Sequence, residues 1–178
     1  MQIIKGGYCL DEAFDLADKV DNVMEESLTY AFDEKFGYLT ACPTNVGTGL
    51  RASVMMHLPA LVMTGNITRV LQSFSGVGIA VRGLYGEGTD AEGALYQISN
   101  SVTLGLSETE IIEKLKTVVE RIAEMEKHAR EILLKNREDD LKDKLMRSYG
   151  ILRYAVKITS KEAKTMLSAS KIRKGDTL

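Results

Sequence analysis

The sequence is poor in the residues that build metal centres and disulfide frameworks. It has two cysteines, Cys9 and Cys42, in no CxxC pair, and two histidines, His57 and His128. This scarcity argues against a zinc site and favours free thiols, although a single disulfide stays open as an alternative. We therefore predict no metal-ligating residues.

The chain also lacks a long apolar run and an excess of charge of either sign. No stretch reaches the roughly 18 apolar residues that a membrane span needs, and the opening MQIIKGG has no signal-peptide core or cleavage site. The formal net charge of −2 gives no electrostatic reason to expect nucleic acid or an anionic membrane as a partner. We expect a soluble, cytoplasmic chain in which any anion site is local, made by a few arginines and backbone amides.

The remaining composition is that of an ordinary folded domain. The 178 residues are 44% hydrophobic and 27% charged, which is enough for one sizeable core. Strand and helix patterns of unequal length alternate in the first part of the chain, and a highly charged helical pattern follows. The predicted fold is α+β, with a mostly antiparallel sheet flanked by helices over residues 1–135 and a helical tail over 136–178.

Local patterns place the individual elements. An amphipathic helix is predicted from Asp11, and Asn66 is predicted to cap a shorter one. Ser107 and Glu110 form a capping box that opens a long helix. Strands are predicted at residues 2–6, 38–41, 50–58, 77–84 and 94–101, and tail helices at 141–154 and 160–170.

A turn-rich segment at residues 42–49 separates two of these strands. Its glycines let backbone N–H groups approach a ligand, and Arg51 is held at the start of the next strand, so a phosphate could be bound there. The alternative is a plain connection with a solvated arginine, since the loop is neither a Walker A motif nor a dinucleotide fingerprint. Cys42 begins the loop and could reach a substrate, or could be an inert thiol.

A second glycine-rich loop follows Arg82, which comes directly after a predicted buried strand. Glu87 and Asp90 lie in this loop. Carboxylates beside a phosphate-binding arginine suit an ATP enzyme with a cationic acceptor, which they would orient or deprotonate. The alternative is an exposed hairpin whose acidic residues only make it soluble.

Seven consecutive residues, Cys42-Pro43-Thr44-Asn45-Val46-Gly47-Thr48, resemble the signature of the ATP:guanidino phosphotransferases, or phosphagen kinases. The similarity continues through residues 51–53, 82–87 and 96–100 and spans roughly residues 1–135. Within the family, residues 33–40 and 83–89 are most similar to the bacterial protein-arginine kinases. The helical tail resembles the start of the extra C-terminal domain of that branch.

The resemblance implies a glutamine-synthetase-like sheet that carries ATP on arginines. It places Cys42 near the acceptor guanidinium and takes the acceptor-side carboxylate from Glu87 or Asp90, between which the sequence does not decide. It also implies ATP, with Mg²⁺ bound to the nucleotide, as cofactors. The residues implied to contact ATP are Arg51, Ala52, Ser53, Val54, Met55, Arg82, Gly83, Leu84, Tyr85, Gly86 and Glu87.

The sequence departs from the family pattern in two places. Tyr85 stands where arginine and creatine kinases carry a second loop arginine, which argues against a small phosphagen as acceptor. The family's Asn-Glu-Glu-Asp-His stretch, its N-terminal phosphate-binding arginines and the arginine-rich motif of the protein-arginine branch have no match here. We therefore expect an incomplete portion of the enzyme, with weak or absent ATP binding and no turnover by itself.

The function implied by the resemblance is transfer of the γ-phosphoryl group of ATP to arginine side chains of proteins. The alternatives are a small-guanidino phosphagen kinase and a non-catalytic regulatory or binding fragment. The implied partners, in a stress response, are an activator protein and arginine-exposing substrates that include a transcriptional repressor and misfolded proteins. A homodimer would cover an unpaired sheet edge and the amphipathic helices.

Overall fold

The computed structural model describes residues 1–83 and 91–172. In these ranges β1 and β2 form a small hairpin, and β3, β4 and β5 form an antiparallel sheet in the order β3-β5-β4. The strands are β1 (Phe32–Asp33), β2 (Gly37–Tyr38), β3 (Ser53–His57), β4 (Ile79–Gly83) and β5 (Leu95–Asn100). The helices are α1 (Leu10–Glu25), α2 (Pro59–Met63), α3 (Ile67–Ser75), α4 (Glu108–Asn136), α5 (Glu138–Tyr154) and α6 (Ser160–Lys171). The predicted α+β class with an antiparallel sheet is confirmed.

The two faces of the three-stranded sheet differ in chemistry. Met56 is fully buried whereas its neighbour Met55 is 49% exposed, because successive side chains of a strand point to opposite faces. The buried face carries Met56, Tyr96, Ile98 and Ile79 and packs in the main core with residues of α2, α3 and α4. We call the other side the arginine face, since Arg82 lies on it. Pairing aligns its side chains in two rows across the strands, Ser53–Ser99–Ala80 and Met55–Gln97–Arg82.

Helix α4 closes the buried face. The capping box at its start is present, because the Ser107 hydroxyl accepts from the Glu110 backbone N–H while the Glu110 carboxylate accepts from the Ser107 N–H. Leu115 and Ile122 are fully buried on its inner side, as the periodicity predicts. This helix fixes the orientation of the sheet and therefore of the arginine face behind it.

Two local predictions are wrong. Residues 2–6 form no strand: Ile4 is 81% exposed and Lys5 is ion-paired with Glu12 of α1, and the segment has no paired strand among the described residues. The side chain of Asn66 makes no capping hydrogen bond. Its backbone already has helical angles after the turn that ends α2, whereas a side-chain cap requires an extended residue.

The predicted strands are longer than those observed. Of the strand expected at 38–41, only Tyr38 lies in an observed strand, β2, which begins one residue earlier at Gly37. Strands β3, β4 and β5 are each shorter than predicted. The pairing between the strands decides these bounds, and a single-chain pattern does not contain it. Residue 84, the last of the strand predicted at 77–84, lies outside the described residues.

The tail helix α6 packs against the sheet region. Lys164 forms an ion pair of 3.0 Å with Glu92, which precedes β5, and the Ser168 hydroxyl lies 2.8 Å from His57 Nε2 of β3. Gly93 has φ +68°, and a Cβ atom there would lie 3.0 Å from the Lys164 carbonyl oxygen. The sheet region and the tail are therefore in direct contact. The predicted boundary between residues 135 and 136 stays a prediction.

Candidate active site

A shallow pocket of about 130 Å³ opens at the end of the arginine face where β5 ends and β3 begins. Both arginines singled out in the sequence, Arg51 and Arg82, line it, and both are exposed. The described lining residues are Thr44, Asn45, Arg51, Ala80, Arg82, Asn100, Ser101 and Thr103. Two guanidinium groups among hydroxyls and two asparagines make this a cationic, hydrogen-bonding concavity suited to an anion.

The strand order explains why Arg51 and Arg82 meet. They come from segments that flank β5 on its two sides, and Arg82 is aligned with Gln97 in the middle of that strand. Arg51 lies two residues before Ser53, so the alternation of side chains places it on the same face. A phosphate chain lying across β5 could therefore reach both guanidinium groups.

Asn100 holds the backbone around Arg51. Its Oδ1 accepts from the Ala52 N–H at 2.8 Å, and its Nδ2 donates to the Leu50 carbonyl at 3.0 Å and to the Val102 carbonyl at 3.2 Å. The residue is only 6% exposed. Both neighbours of Arg51 are thus tied to one side chain at the end of β5.

Thr103 anchors residues 42–48, which we call the signature loop, beside the pocket. Its hydroxyl lies 3.0 Å from the Thr44 carbonyl and 2.8 Å from the Val46 carbonyl, and its own carbonyl accepts from the Thr48 N–H at 3.2 Å. It is 5% exposed. Hydrogen bonds to one buried threonine therefore hold residues 44–48 in position next to the end of the sheet.

Gly47 is required by a close approach of backbone segments. It has φ +114°, and a Cβ atom there would lie 2.4 Å from the Thr103 carbonyl oxygen. Gly37 has φ +74°, and a Cβ atom there would lie 2.6 Å from the Gly47 carbonyl oxygen. Tyr38 and Gly47 also exchange two backbone hydrogen bonds, at 2.8 and 3.2 Å. The hairpin, the loop and the segment after β5 are therefore stacked backbone on backbone.

Cys42 is exposed at the start of the loop. Its Sγ lies 3.0 Å from the Thr44 hydroxyl, and Thr44 lines the pocket. The hydrogen bonds from the Thr44 side chain and backbone, followed by the charge of Arg51, lower the pKa of the Cys42 thiol from its usual value. A thiol with increased thiolate character thus lies beside the pocket that carries the arginines.

The other predicted ATP-contacting residues are distributed unevenly. Ser53 and Met55 point out from the arginine face, whereas the side chains of Ala52 and Val54 pack against the core and leave only their backbone available. Gly83 ends β4. The remaining candidates lie outside the described residues: Leu84, Tyr85, Gly86, Glu87 and Asp90.

Sequence reasoning missed the residues that support this site from behind. The sequence patterns assign no role to Asn100 or Thr103 and do not identify Ser101 or Asn45 as ligand contacts. A usable signal was present, because Asn100 is a polar residue near the end of the strand predicted at 94–101 and Thr103 follows that strand closely. Among residues 1–83 and 91–172, no group of three or more His, Cys, Asp or Glu side chains could hold a metal ion. No helix in the same ranges is long and apolar enough to span a membrane.

Two protein-family models match the chain. Residues 1–129 match the C-terminal catalytic domain of the ATP:guanido phosphotransferases, and residues 138–177 match the C-terminal domain of protein-arginine kinase McsB. The first match contains every described residue that lines the pocket.

Individual proteins give the same result. A protein-arginine kinase of Caldanaerobacter subterraneus subsp. tengcongensis is 54% identical over 168 residues, which cover 94% of this chain and 50% of that protein. This chain therefore spans about half the length of the relative it matches. The taurocyamine kinase of Schistosoma mansoni with bound transition-state-analogue components has TM-score 0.57 and 31% identity over 66% of this chain and 16% of its own. Lombricine kinase has TM-score 0.52 and 32% identity over 65% of this chain and 32% of its own.

Since the family match covers most of the chain and includes the arginine pocket, this protein belongs to the ATP:guanido phosphotransferase family, with its first 129 residues in the C-terminal catalytic domain.

Proposed function

We propose that this chain supplies part of the nucleotide site of a protein-arginine kinase, which transfers the γ-phosphoryl group of ATP to arginine side chains of proteins. The observation that carries the proposal is the shared pocket of Arg51 and Arg82, with Cys42 beside it. The 54% identity to a protein-arginine kinase and the match of the tail to that kinase's C-terminal domain support the protein acceptor.

The pocket suits the electrostatic demand of phosphoryl transfer. This reaction has little covalent chemistry for the protein to perform, so positioning and charge neutralisation supply most of the catalysis. In the proposal the Arg51 and Arg82 guanidinium groups bind the phosphate chain from two sides of β5. The Thr44 and Ser101 hydroxyls and nearby backbone amides complete the hydrogen bonds to phosphate oxygens.

The acceptor side is assigned to the loop residues. Cys42, whose thiolate form the Thr44 hydroxyl favours, would face the cationic acceptor guanidinium. Glu87 or Asp90, outside the described residues, would supply the carboxylate that orients this guanidinium or takes its proton. Mg²⁺ would be held by the phosphates of the nucleotide, the usual arrangement for this ion in kinases. Its role is to neutralise charge on those phosphates.

The test uses the full gene product with an arginine-rich protein and measures acid-labile phosphoarginine. Replacing both Arg51 and Arg82 by Ala should lower kcat/KM by about 100-fold or more, since two charge-assisted contacts to phosphate are lost. Arg69→Ala, an exposed arginine on α3, is the matched control and should leave the rate unchanged. Wild-type phosphoarginine formation by the double variant would contradict the assignment.

A small-guanidino kinase is the second candidate. The named similarity to taurocyamine and lombricine kinases favours it, but at 31% and 32% identity against 54% for a protein-arginine kinase. Free arginine and creatine should therefore be poor acceptors compared with a protein. Efficient phosphorylation of either small molecule would favour the second candidate.

The isolated 178 residues are expected to bind ATP weakly or not at all and to show no turnover. The phosphate chain meets two arginines in this chain, and the family's further phosphate contacts have no match in it. Calorimetric titration with Mg·ATP measures this directly. Robust kinase activity of these residues alone would show the expectation wrong.

The family resemblance further supports cytoplasmic action in a stress response. The proposed partners are an activator protein, a transcriptional repressor and misfolded proteins as substrates, and a second copy of the enzyme. Sedimentation of the full gene product with and without the candidate activator would test the assembly.

A further inference from the structure

Asn100 is a buried polar residue of the pocket whose side-chain hydrogen bonds all go to backbone. Asn100 is 6% exposed, lines the pocket and bonds to the backbone of residues 50, 52 and 102. We infer that Asn100 is a positioning residue for ATP binding, which fixes the guanidinium of Arg51 on the arginine face. This inference rests on the proposed nucleotide site and adds a residue that does not itself have to touch the phosphates.

Arg51 needs such a support because it lies outside the regular sheet. The ladder of β3 begins at Ser53, and a further backbone bond to β5, from the Asn100 N–H to the Ala52 carbonyl at 3.3 Å, stops one residue short of Arg51. Beyond this point the side chain of Asn100 supplies the hydrogen bonds that hold the backbone. Its amide accepts from the residue after Arg51 and donates to the residue before it, at 2.8 and 3.0 Å. The peptide units on both sides of Arg51 are therefore held by one rigid group at the end of a central strand.

The chemistry of the side chain matches this task. An amide offers one acceptor and two donor hydrogens on a short stem, and Asn100 uses both functions. An aspartate would keep the acceptor for the Ala52 N–H but would lose the donors to the two carbonyls. It would also bring a negative charge to a pocket proposed to bind phosphate. Alanine would leave the backbone groups of residues 50, 52 and 102 without these bonds.

A purely structural role for Asn100 makes a different prediction. If the residue only stabilised the end of β5, its loss would act equally whether or not Arg51 is present. If it acts through Arg51, its effect on ATP affinity must disappear once the guanidinium is removed. Arg82 lies on β4 and has no described bond to Asn100, so it provides the matched background in which the effect must persist.

The experiment is a pair of double-mutant cycles in the full gene product, with the dissociation constant for Mg·ATP from calorimetry as the readout. Asn100→Ala should weaken ATP about tenfold in the wild type and in Arg82→Ala, but less than twofold in Arg51→Ala. The KM for the protein substrate should not change. Ser73→Ala, which removes an exposed hydroxyl on α3 that bonds to the Val70 carbonyl at 2.7 Å and does not line the pocket, should leave ATP affinity unchanged.

Asn100→Asp keeps the shape of the side chain and serves if the alanine variant fails to fold. It should bind ATP more weakly than Asn100→Ala because of its charge. Equal effects of Asn100→Ala in the wild-type and Arg51→Ala backgrounds, or unchanged ATP affinity in both Asn100 variants, would overturn the inference. ATP binding without phosphoarginine formation would contradict the proposed function instead and would leave the cycles interpretable.

Discussion

At the scale of single residues, the contact between Cys42 and Thr44 controls a thiol at the edge of the pocket. The Thr44 hydroxyl lies 3.0 Å from the sulfur and is the largest cause of the lowered pKa of this thiol. Thr44→Val should raise the pKa toward its ordinary value, because the thiolate loses a donor. Thr44→Ser should retain the low pKa.

The measurement is the pH dependence of alkylation of Cys42 in a Cys9→Ser background, since Cys9 is also a free thiol. Thr40→Val is the matched control: the Thr40 hydroxyl lies 2.6 Å from the Cys42 carbonyl oxygen and does not contact the sulfur. Its alkylation profile should equal that of the parent. An unchanged profile in Thr44→Val would show that the hydroxyl does not tune the thiol.

The residues that bind and the residues that position differ in how well the sequence reveals them. Arg51 and Arg82 could be proposed as partners, because each lies where a glycine-rich loop meets a predicted strand. Asn100 and Thr103 could not be assigned, since their role is to bond to segments that lie 50 to 59 residues away along the chain. Only the pairing of β3 with β5 brings those segments together.

At the scale of elements, the signature loop depends on a glycine that no other residue can replace. In Gly47→Ala the new Cβ atom would overlap the Thr103 carbonyl oxygen, at a backbone angle that is itself strained. We expect a loss of stability of about 3 kcal/mol and a displaced loop. Thermal unfolding and thiol reactivity of Cys42 measure the two effects.

Gly49→Ala is the control for backbone strain alone. Gly49 has φ +64° but no atom within 4 Å of the position of a Cβ. Its loss should be about 1 kcal/mol. If both variants lost the same stability, the close contact with Thr103 would not matter.

A buried carboxylate joins α4 to the start of α2. Glu126 is fully buried and accepts from the Ala60 and Leu61 N–H groups at 2.9 Å each, and from Arg130 Nε at 2.9 Å. Glu126→Ala should destabilise the fold by about 3–5 kcal/mol, since it leaves two helix N–H groups and a buried cation without this partner. Urea unfolding measures the loss. Glu124→Ala, at an exposed position on the same helix, should change stability by less than about 0.5 kcal/mol.

The elements show why some patterns predict structure better than others. The capping box at Ser107 is complete within four residues, so the start of α4 could be read from the sequence. The strand expected at residues 2–6 needed a partner that the local pattern cannot supply. Glu126 and Arg130 continue the buried side of α4 at helical spacing after Ile122. That spacing could have identified them as a buried pair rather than as part of a solvated surface.

At the scale of the whole molecule, His57 connects the sheet with the tail helix. Its Nε2 is 2.8 Å from the Ser168 hydroxyl, and burial, followed by the charges of Arg130 and Lys171, lowers its pKa from 6.5 to about 4. In the unfolded chain the imidazole binds a proton near its ordinary pKa, while in the folded protein it stays neutral. The free energy of unfolding should therefore fall as the pH drops from about 6.5 to about 4.

His57→Gln keeps a donor for Ser168 but does not titrate. The decrease in stability across this pH window should be smaller in the variant than in the wild type, as measured by urea unfolding at a series of pH values. His128→Gln, an exposed histidine on α4, is the control and should retain the wild-type dependence. An identical slope in His57→Gln and wild type would contradict the assignment.

The close main-chain packing of residues 37, 47 and 103 limits which second substitutions could restore the stability lost when one of the two glycines is replaced. The atoms that block a side chain at position 37 or 47 belong to the main chain, which every residue type carries, and the nearest of them are carbonyl oxygens. A substitution at another position cannot remove these main-chain atoms. A genetic screen for suppressors of Gly47→Ala should consequently return reversion to glycine and no compensating change at a neighbouring position.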